Sequence, residues 1–201
     1  MKANLILTLL FLALSFNSIS QNSDSAESRY SLGLKTGLQR TTYKFTADTS
    51  LNPMESSSQI FGIEYQRLLG KSSALVIEFN YASVEMIDPK NPRDITYSYS
   101  QFDLPVTLRL RSQGNLKLIG DLGIGLCLLN RNGIGYNLNI AKYISDAKIT
   151  YHIGAGFESN LTKMAAISII GRYQNIGSKV DINNFNAQLG LKLYMPSYNN
   201  K

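Results

Sequence analysis

The chain has 201 residues, 44% hydrophobic and 17% charged, with 20 Lys and Arg against 14 Asp and Glu for a formal net charge of +6. That length suits one domain. The basic excess is scattered without a polybasic block or basic helix, so no nucleic acid is expected as partner, and the single cysteine, Cys127, rules out an internal disulfide.

The N-terminus reads as a signal peptide over residues 1–20. Lys2 supplies the cationic start, residues 5–16 the apolar run, and Asn17-Ser18-Ile19-Ser20 the small-residue cleavage region before Gln21. The apolar run is shorter than the roughly 20 residues a spanning helix needs, and no cysteine stands near the cleavage point to carry a lipid. Residues 21–28 form a polar periplasmic lead.

From residue 29 onward the chain alternates with period two, the signature of strands. Residues 29–45 set Leu32, Leu34 and Leu38 against Gly33, Lys35, Gly37 and Gln39. A polar gap at 47–58 precedes residues 59–69, where Phe61, Ile63 and Tyr65 oppose Gly62, Glu64 and Gln66. A tight turn at 70–73 leads to residues 74–87, with Ile77, Phe79 and Tyr81 opposite Glu78, Asn80 and Ala82. Residues 88–94 read as a loop whose two prolines bar ladder pairing. Residues 95–111 follow, with Phe102, Leu104, Val106 and Leu108 against Asp103, Pro105, Thr107 and Arg109. After a turn at 112–115, residues 116–129 set a leucine-rich face against Lys117, Asp121, Gly123, Gly125 and Cys127. The longest gap, 130–145, precedes residues 146–161, where Ile149, Tyr151, Ile153 and Phe157 oppose Lys148, Thr150, His152 and Glu158. A turn at 162–163, a segment at 164–174 carrying Arg172, a loop at 175–184 and a segment at 185–195 carrying Lys192 complete the domain, and residues 196–201 form a tail.

Eight segments with gaps running long, short, long, short, long, short, long predict an eight-stranded antiparallel up-and-down β-barrel with tight turns at one rim. Segment lengths match the 9–11 residues of a tilted transmembrane strand better than the 5–6 of soluble sheets. With no second hydrophobic helix, a closed sheet is the remaining way to satisfy backbone groups in lipid. One face of most strands is Leu, Ile, Phe, Ala or Tyr. The other mixes charges with Gly33, Gly37, Gly62, Gly123, Gly125, Gly154, Gly156 and Gly190, and small residues suit a filled lumen more than a wetted exterior. A soluble lipocalin-like barrel, with the faces reversed, stays open as the alternative. In the membrane reading Lys35, Glu64, Glu78, Asp103, Arg109, Asp121, His152, Glu158, Arg172 and Lys192 face inward as a near-neutral polar network, because buried charges persist only when paired. Such a network blocks a wide pore.

Several elements carry a family resemblance: Gln101-Phe102-Asp103-Leu104-Pro105-Val106-Thr107-Leu108-Arg109-Leu110, the Gly-rich Gly120-Asp121-Leu122-Gly123-Ile124-Gly125, Gly154-Ala155-Gly156-Phe157-Glu158, and Gly171-Arg172-Tyr173. Together they resemble the PorT-like, or outer membrane protein β-barrel, group of small Gram-negative barrels, over residues 29–195. The ending differs from the aromatic terminus usual in such barrels, since Tyr194-Met195 is followed by six further residues. The resemblance implies an outer-membrane location and leaves activity open.

Catalytic chemistry finds little support. His152 is the sole histidine, so neither a His-based metal cluster nor a cofactor is expected, and no nucleophile stands near it in sequence. The chain reads as a non-enzyme: a monomeric barrel in outer-membrane lipid, both termini periplasmic, structural or partner-binding through outward loops that include Leu51, Met54, Ile134 and Tyr136. An accessory role in a secretion or transport machine, with an envelope protein as partner, is the alternative that the PorT-like resemblance implies. A lipid-modifying enzyme is the weakest reading.

Overall fold

A computed structural model describes residues 30–45, 54–88, 91–131, 147–177 and 180–195. The expected signal peptide, periplasmic lead and C-terminal tail lie outside the described residues, as do Leu51, Ile134 and Tyr136. Eight strands run in chain order: β1 (Tyr30–Phe45), β2 (Met54–Leu68), β3 (Ser73–Asp88), β4 (Asn91–Arg111), β5 (Leu116–Arg131), β6 (Ala147–Asn160), β7 (Ala165–Ile176) and β8 (Val180–Tyr194). Each pairs antiparallel with its sequence neighbour, and β8 pairs with β1 to close the barrel.

The register fixes the shape. A path of paired residues from Ser31 through Gln66, Val76, Thr107, Gly123, His152, Gln174 and Asn184 returns to β1 at Thr41. The stagger is therefore ten residues, from 31 to 41. With rises of about 3.3 Å along and about 4.8 Å between strands, this tilts eight strands by about 41°. Each residue then climbs about 2.5 Å along the axis. On that scale the outward apolar run from Tyr30 to Leu38 on β1 climbs about 20 Å, and that from Leu116 to Leu128 on β5 about 30 Å. These values bracket the apolar band of about 25 Å that membrane barrels present to lipid. Across it the outward side chains are bare: Leu34 is 66% exposed, Leu38 69% and Ile169 61%.

Two expected loops are strands. β3 and β4 continue past the barrel until Asp88 pairs with Asn91, leaving only residues 89–90 between them. The register jumps between Ile87 and Asp88 because residues 92–94 take no partner on β3. Pro92 falls in that unpaired stretch, where its missing N–H removes no ladder bond. Likewise β7 runs to Ile176 and β8 starts at Val180, with Ile176 opposite Ile182. β2 begins at Met54, earlier than its apolar pattern suggests. Above the apolar band the outward positions turn polar, as at Glu55, Ser57 and Asn183, so the alternation that marks a strand fades while its hydrogen bonds continue.

Glycine keeps the wall closed. A Cβ on Gly156 would come within 2.1 Å of the Ile169 carbonyl oxygen, and one on Gly37 within 2.1 Å of the Ala187 carbonyl oxygen. At both positions the neighbouring backbone already occupies the side-chain volume.

Candidate functional site

The inward face holds the chemistry, and its composition changes along every strand. β1 passes from Lys35 through Gln39 and Thr41 to Tyr43, β7 from Arg172 through Gln174 to Ile176, and β8 from Lys192 through Gln188, Asn186 and Asn184 to Ile182. Along these three strands, from the turn rim to the loop rim, the lumen is charged, then amide-lined, then apolar; β6 differs, with Lys148 buried at its loop end.

The charged layer draws on all eight strands. Glu78 stands at its centre. Arg172 donates to it twice, Nη1 to Oε2 at 2.6 Å and Nη2 to Oε1 at 2.8 Å. Lys35 Nζ lies 2.7 Å from Glu78 Oε2, and Asn80 Nδ2 donates to the same oxygen at 3.1 Å. Asp121 receives Arg109 Nε at 2.8 Å and Nη2 at 2.9 Å, the bidentate geometry that makes arginine–carboxylate pairs strong. Arg172 Nη2, 3.2 Å from Asp121 Oδ2, joins these two carboxylates. Glu64 lies 3.0 Å from Lys192 Nζ, 3.4 Å from Arg109 Nη1 and 3.8 Å from Lys35 Nζ. Lys192 continues to Glu158 at 2.5 Å, whose other oxygen accepts from Tyr194 OH at 3.0 Å. Gln66 Oε1 accepts from both Arg109 and Lys192. The result is one fused lattice of opposite charges.

All ten residues expected inward are buried: Lys35, Glu64, Glu78, Asp103, Arg109, Asp121, His152, Glu158, Arg172 and Lys192. Eight of them join the lattice; Asp103 and His152 do not. Asp103 accepts from Gln101 Nε2 at 2.7 Å in the amide layer, where Gln39 Nε2 also reaches Gln101. His152 Nε2 and Thr107 Oγ1 form a hydrogen bond at 2.9 Å, with the imidazole packed beside Gly123. Arg111, Lys117 and Lys148 are buried as well. The described lumen thus holds seven Lys and Arg against five carboxylates rather than near-equal numbers. The polar side of the period-two pattern already contained these three cations, close to strand ends where rim and lumen are hard to separate by alternation.

The apolar layer was not anticipated. Tyr43, Met54, Ile60, Ala82, Val84, Tyr99, Cys127, Leu129, Ile176 and Ile182 form one buried cluster toward the loop rim. The hydroxyls of Tyr43 and Tyr99 are hydrogen-bonded to each other, and their rings meet edge to face. Met54, expected to be exposed on a loop, is 4% exposed and opposite Tyr43. Among the described residues no group of three or more His, Cys, Asp or Glu side chains is arranged to hold a metal ion.

An inside-out sheet, closed, apolar outside and charged within, defines a transmembrane β-barrel. The sequence matches the family of the outer membrane protein beta-barrel domain over residues 9–192, and the chain belongs to that family. It is a small eight-stranded barrel of the outer membrane. The fold is similar to that of Neisserial surface protein A, NspA, with a TM-score of 0.57, 11% identity, and coverage of 82% of this chain and 97% of that one. It is also similar to OprG of Pseudomonas aeruginosa, with a TM-score of 0.55, 11% identity, and coverage of 84% and 98%. No curated protein matches the sequence.

Proposed function

We propose that this protein is a monomeric barrel with a sealed lumen, which acts through its wall and its loop-side rim rather than as a pore. The observation that carries this reading is the lattice from Lys35 on β1 to Lys192 on β8, with the Tyr43–Tyr99 cluster beyond it. A solute would have to separate buried ion pairs and then cross an apolar layer. The signal peptide is cleaved before Gln21, the three turns face the periplasm, and the loop rim faces outward to serve a structural or partner-binding role. Planar-bilayer recording of the mature barrel tests the seal: only brief or very small events are expected, and large, steady single channels would overturn it.

The PorT-like resemblance supports a second reading, an accessory subunit of a secretion or transport machine. The residues carrying that resemblance serve the barrel itself: Gln101 and Asp103 bond inside the lumen, and Pro105 packs against Gly125, where a Cβ would lie 2.7 Å from the proline Cα. They therefore favour the barrel reading over the machine. Co-purification in mild detergent separates the two, since a stable envelope partner would favour the accessory role.

A further inference from the structure

The two rims of the barrel differ in exposed charge. At the loop rim the described outward charges are of both signs: Arg40 and Lys44 with Glu55, Glu85 and Asp181. Arg40 is already paired, its Nη2 2.6 Å from Glu55 Oε2. At the turn rim the exposed charges are Arg67 at the end of β2, Lys71 in the β2–β3 turn and Lys163 in the β6–β7 turn. No described carboxylate is exposed there, and Glu64 and Glu158 are both turned into the lumen toward Lys192.

Arg67 and Lys71 also have suitable neighbours. Tyr30 lies directly across from Arg67 in the β1–β2 ladder. The Tyr30 and Tyr65 rings stack outward with centroids 6.2 Å apart. Phenols at the edge of an apolar band sit at headgroup depth, and an arginine or lysine beyond them keeps its stem in the apolar zone and its charge in the polar layer. Two phenol rings, a guanidinium and an ammonium on one short arc make a donor-rich surface, with no exposed carboxylate among the described residues, at the level of lipid phosphates.

We propose that the turn rim at Tyr30, Tyr65, Arg67 and Lys71 binds the phosphate of an anionic phospholipid. This rests on the barrel's place in the membrane and not on a sealed lumen, so a conducting lumen would leave it intact. Cations near an anionic surface each contribute about 1 kcal/mol, or roughly fivefold in binding. The mature protein in neutral detergent, titrated with phosphatidylglycerol or with phosphatidylcholine of the same chains, is read by native mass spectrometry. Wild type should retain phosphatidylglycerol preferentially, and Arg67→Gln with Lys71→Gln should weaken that preference roughly twenty-five-fold. Arg40→Gln with Lys44→Gln at the other rim should leave it unchanged. Equal retention of both lipids, or a preference lost with the loop-rim pair but kept in the turn-rim pair, overturns the proposal. If the turn-rim variant does not fold, wild type in low and high salt decides. Screening must reduce the preference, and a preference that salt does not move overturns the proposal.

Discussion

Glu78 is where the lumen lattice is most exposed to a single change. In Glu78→Gln the side chain keeps its size and loses its charge. Its amide oxygen can accept only one of the two hydrogen bonds that Arg172 gives to the carboxylate at 2.6 and 2.8 Å, and the ion pair with Lys35 at 2.7 Å is lost. Both cations stay buried, and each keeps one weaker partner: Arg172 has Asp121 at 3.2 Å and Lys35 has Glu64 at 3.8 Å. Removing one member of a buried pair costs about 3–5 kcal/mol, because the other charge remains desolvated. The residual carboxylates place this case at the lower end, about 3 kcal/mol. With a urea dependence of about 2 kcal/mol per molar, the unfolding midpoint falls by about 1.5 M. The assay is urea unfolding in detergent micelles, scored by the gel mobility of folded and unfolded forms. Glu78→Met with Arg172→Met should recover part of the loss, since Arg172 is then no longer buried without its partner, while Lys35 still keeps only Glu64 at 3.8 Å. An unchanged midpoint for Glu78→Gln, or a double variant weaker than the single by a further full step, would refute this account of the lattice.

The glycine contacts predict a paired outcome: Gly156→Ala should lose about 1–3 kcal/mol, while Gly120→Ala, where a Cβ meets nothing within 4 Å, should match wild type in the same unfolding assay. Tyr99→Ala opens a hole in the apolar layer and should lower stability by about 3–5 kcal/mol, with Tyr99→Phe much closer to wild type. For orientation, Gln113→Cys in the β4–β5 turn should react with a membrane-impermeant maleimide only after the outer membrane is breached. Buried Cys127 should stay silent throughout, and labelling of intact cells would invert the proposed topology. Carbonate washing should leave the protein in the membrane pellet, whereas release would contradict insertion.

How legible this fold was depended on whether each residue met lipid. Where the outward face is apolar, as at Leu32–Leu34–Leu38 or Ile149–Tyr151–Ile153, period two separates the two sides of the strand, and the ten charged or imidazole side chains on the other side are buried. Where strands rise into water the contrast disappears. Asn183 faces outward and Asn184 inward, and no hydropathy pattern distinguishes such a pair. That is why the extensions of β2, β4, β7 and β8 read as loops. The apolar layer failed for the opposite reason. Ile60, Val84, Ile176 and Ile182 point inward, yet an isoleucine looks the same in sequence whether it meets lipid or a neighbouring side chain. The charge lattice was legible as a set of inward positions, but its pairings depend on the ten-residue stagger, which only the closed register provides.

That stagger also orders events in assembly. Arg172 and Glu78 are 94 residues apart in sequence, and Lys192 and Gln66 are 126 apart. Neither contact exists in any hairpin or in an unfinished sheet of consecutive strands. Some pairs belong to early strands, Arg109 with Asp121 across the β4–β5 hairpin and Lys35 with Glu78 within the first three strands. The bonds that Glu78 receives from Arg172 and Glu64 from Lys192 need strands β7 and β8. A half-built sheet lacks those cross-barrel bonds, so the lattice is completed only with the last seam and favours complete barrels over partial ones.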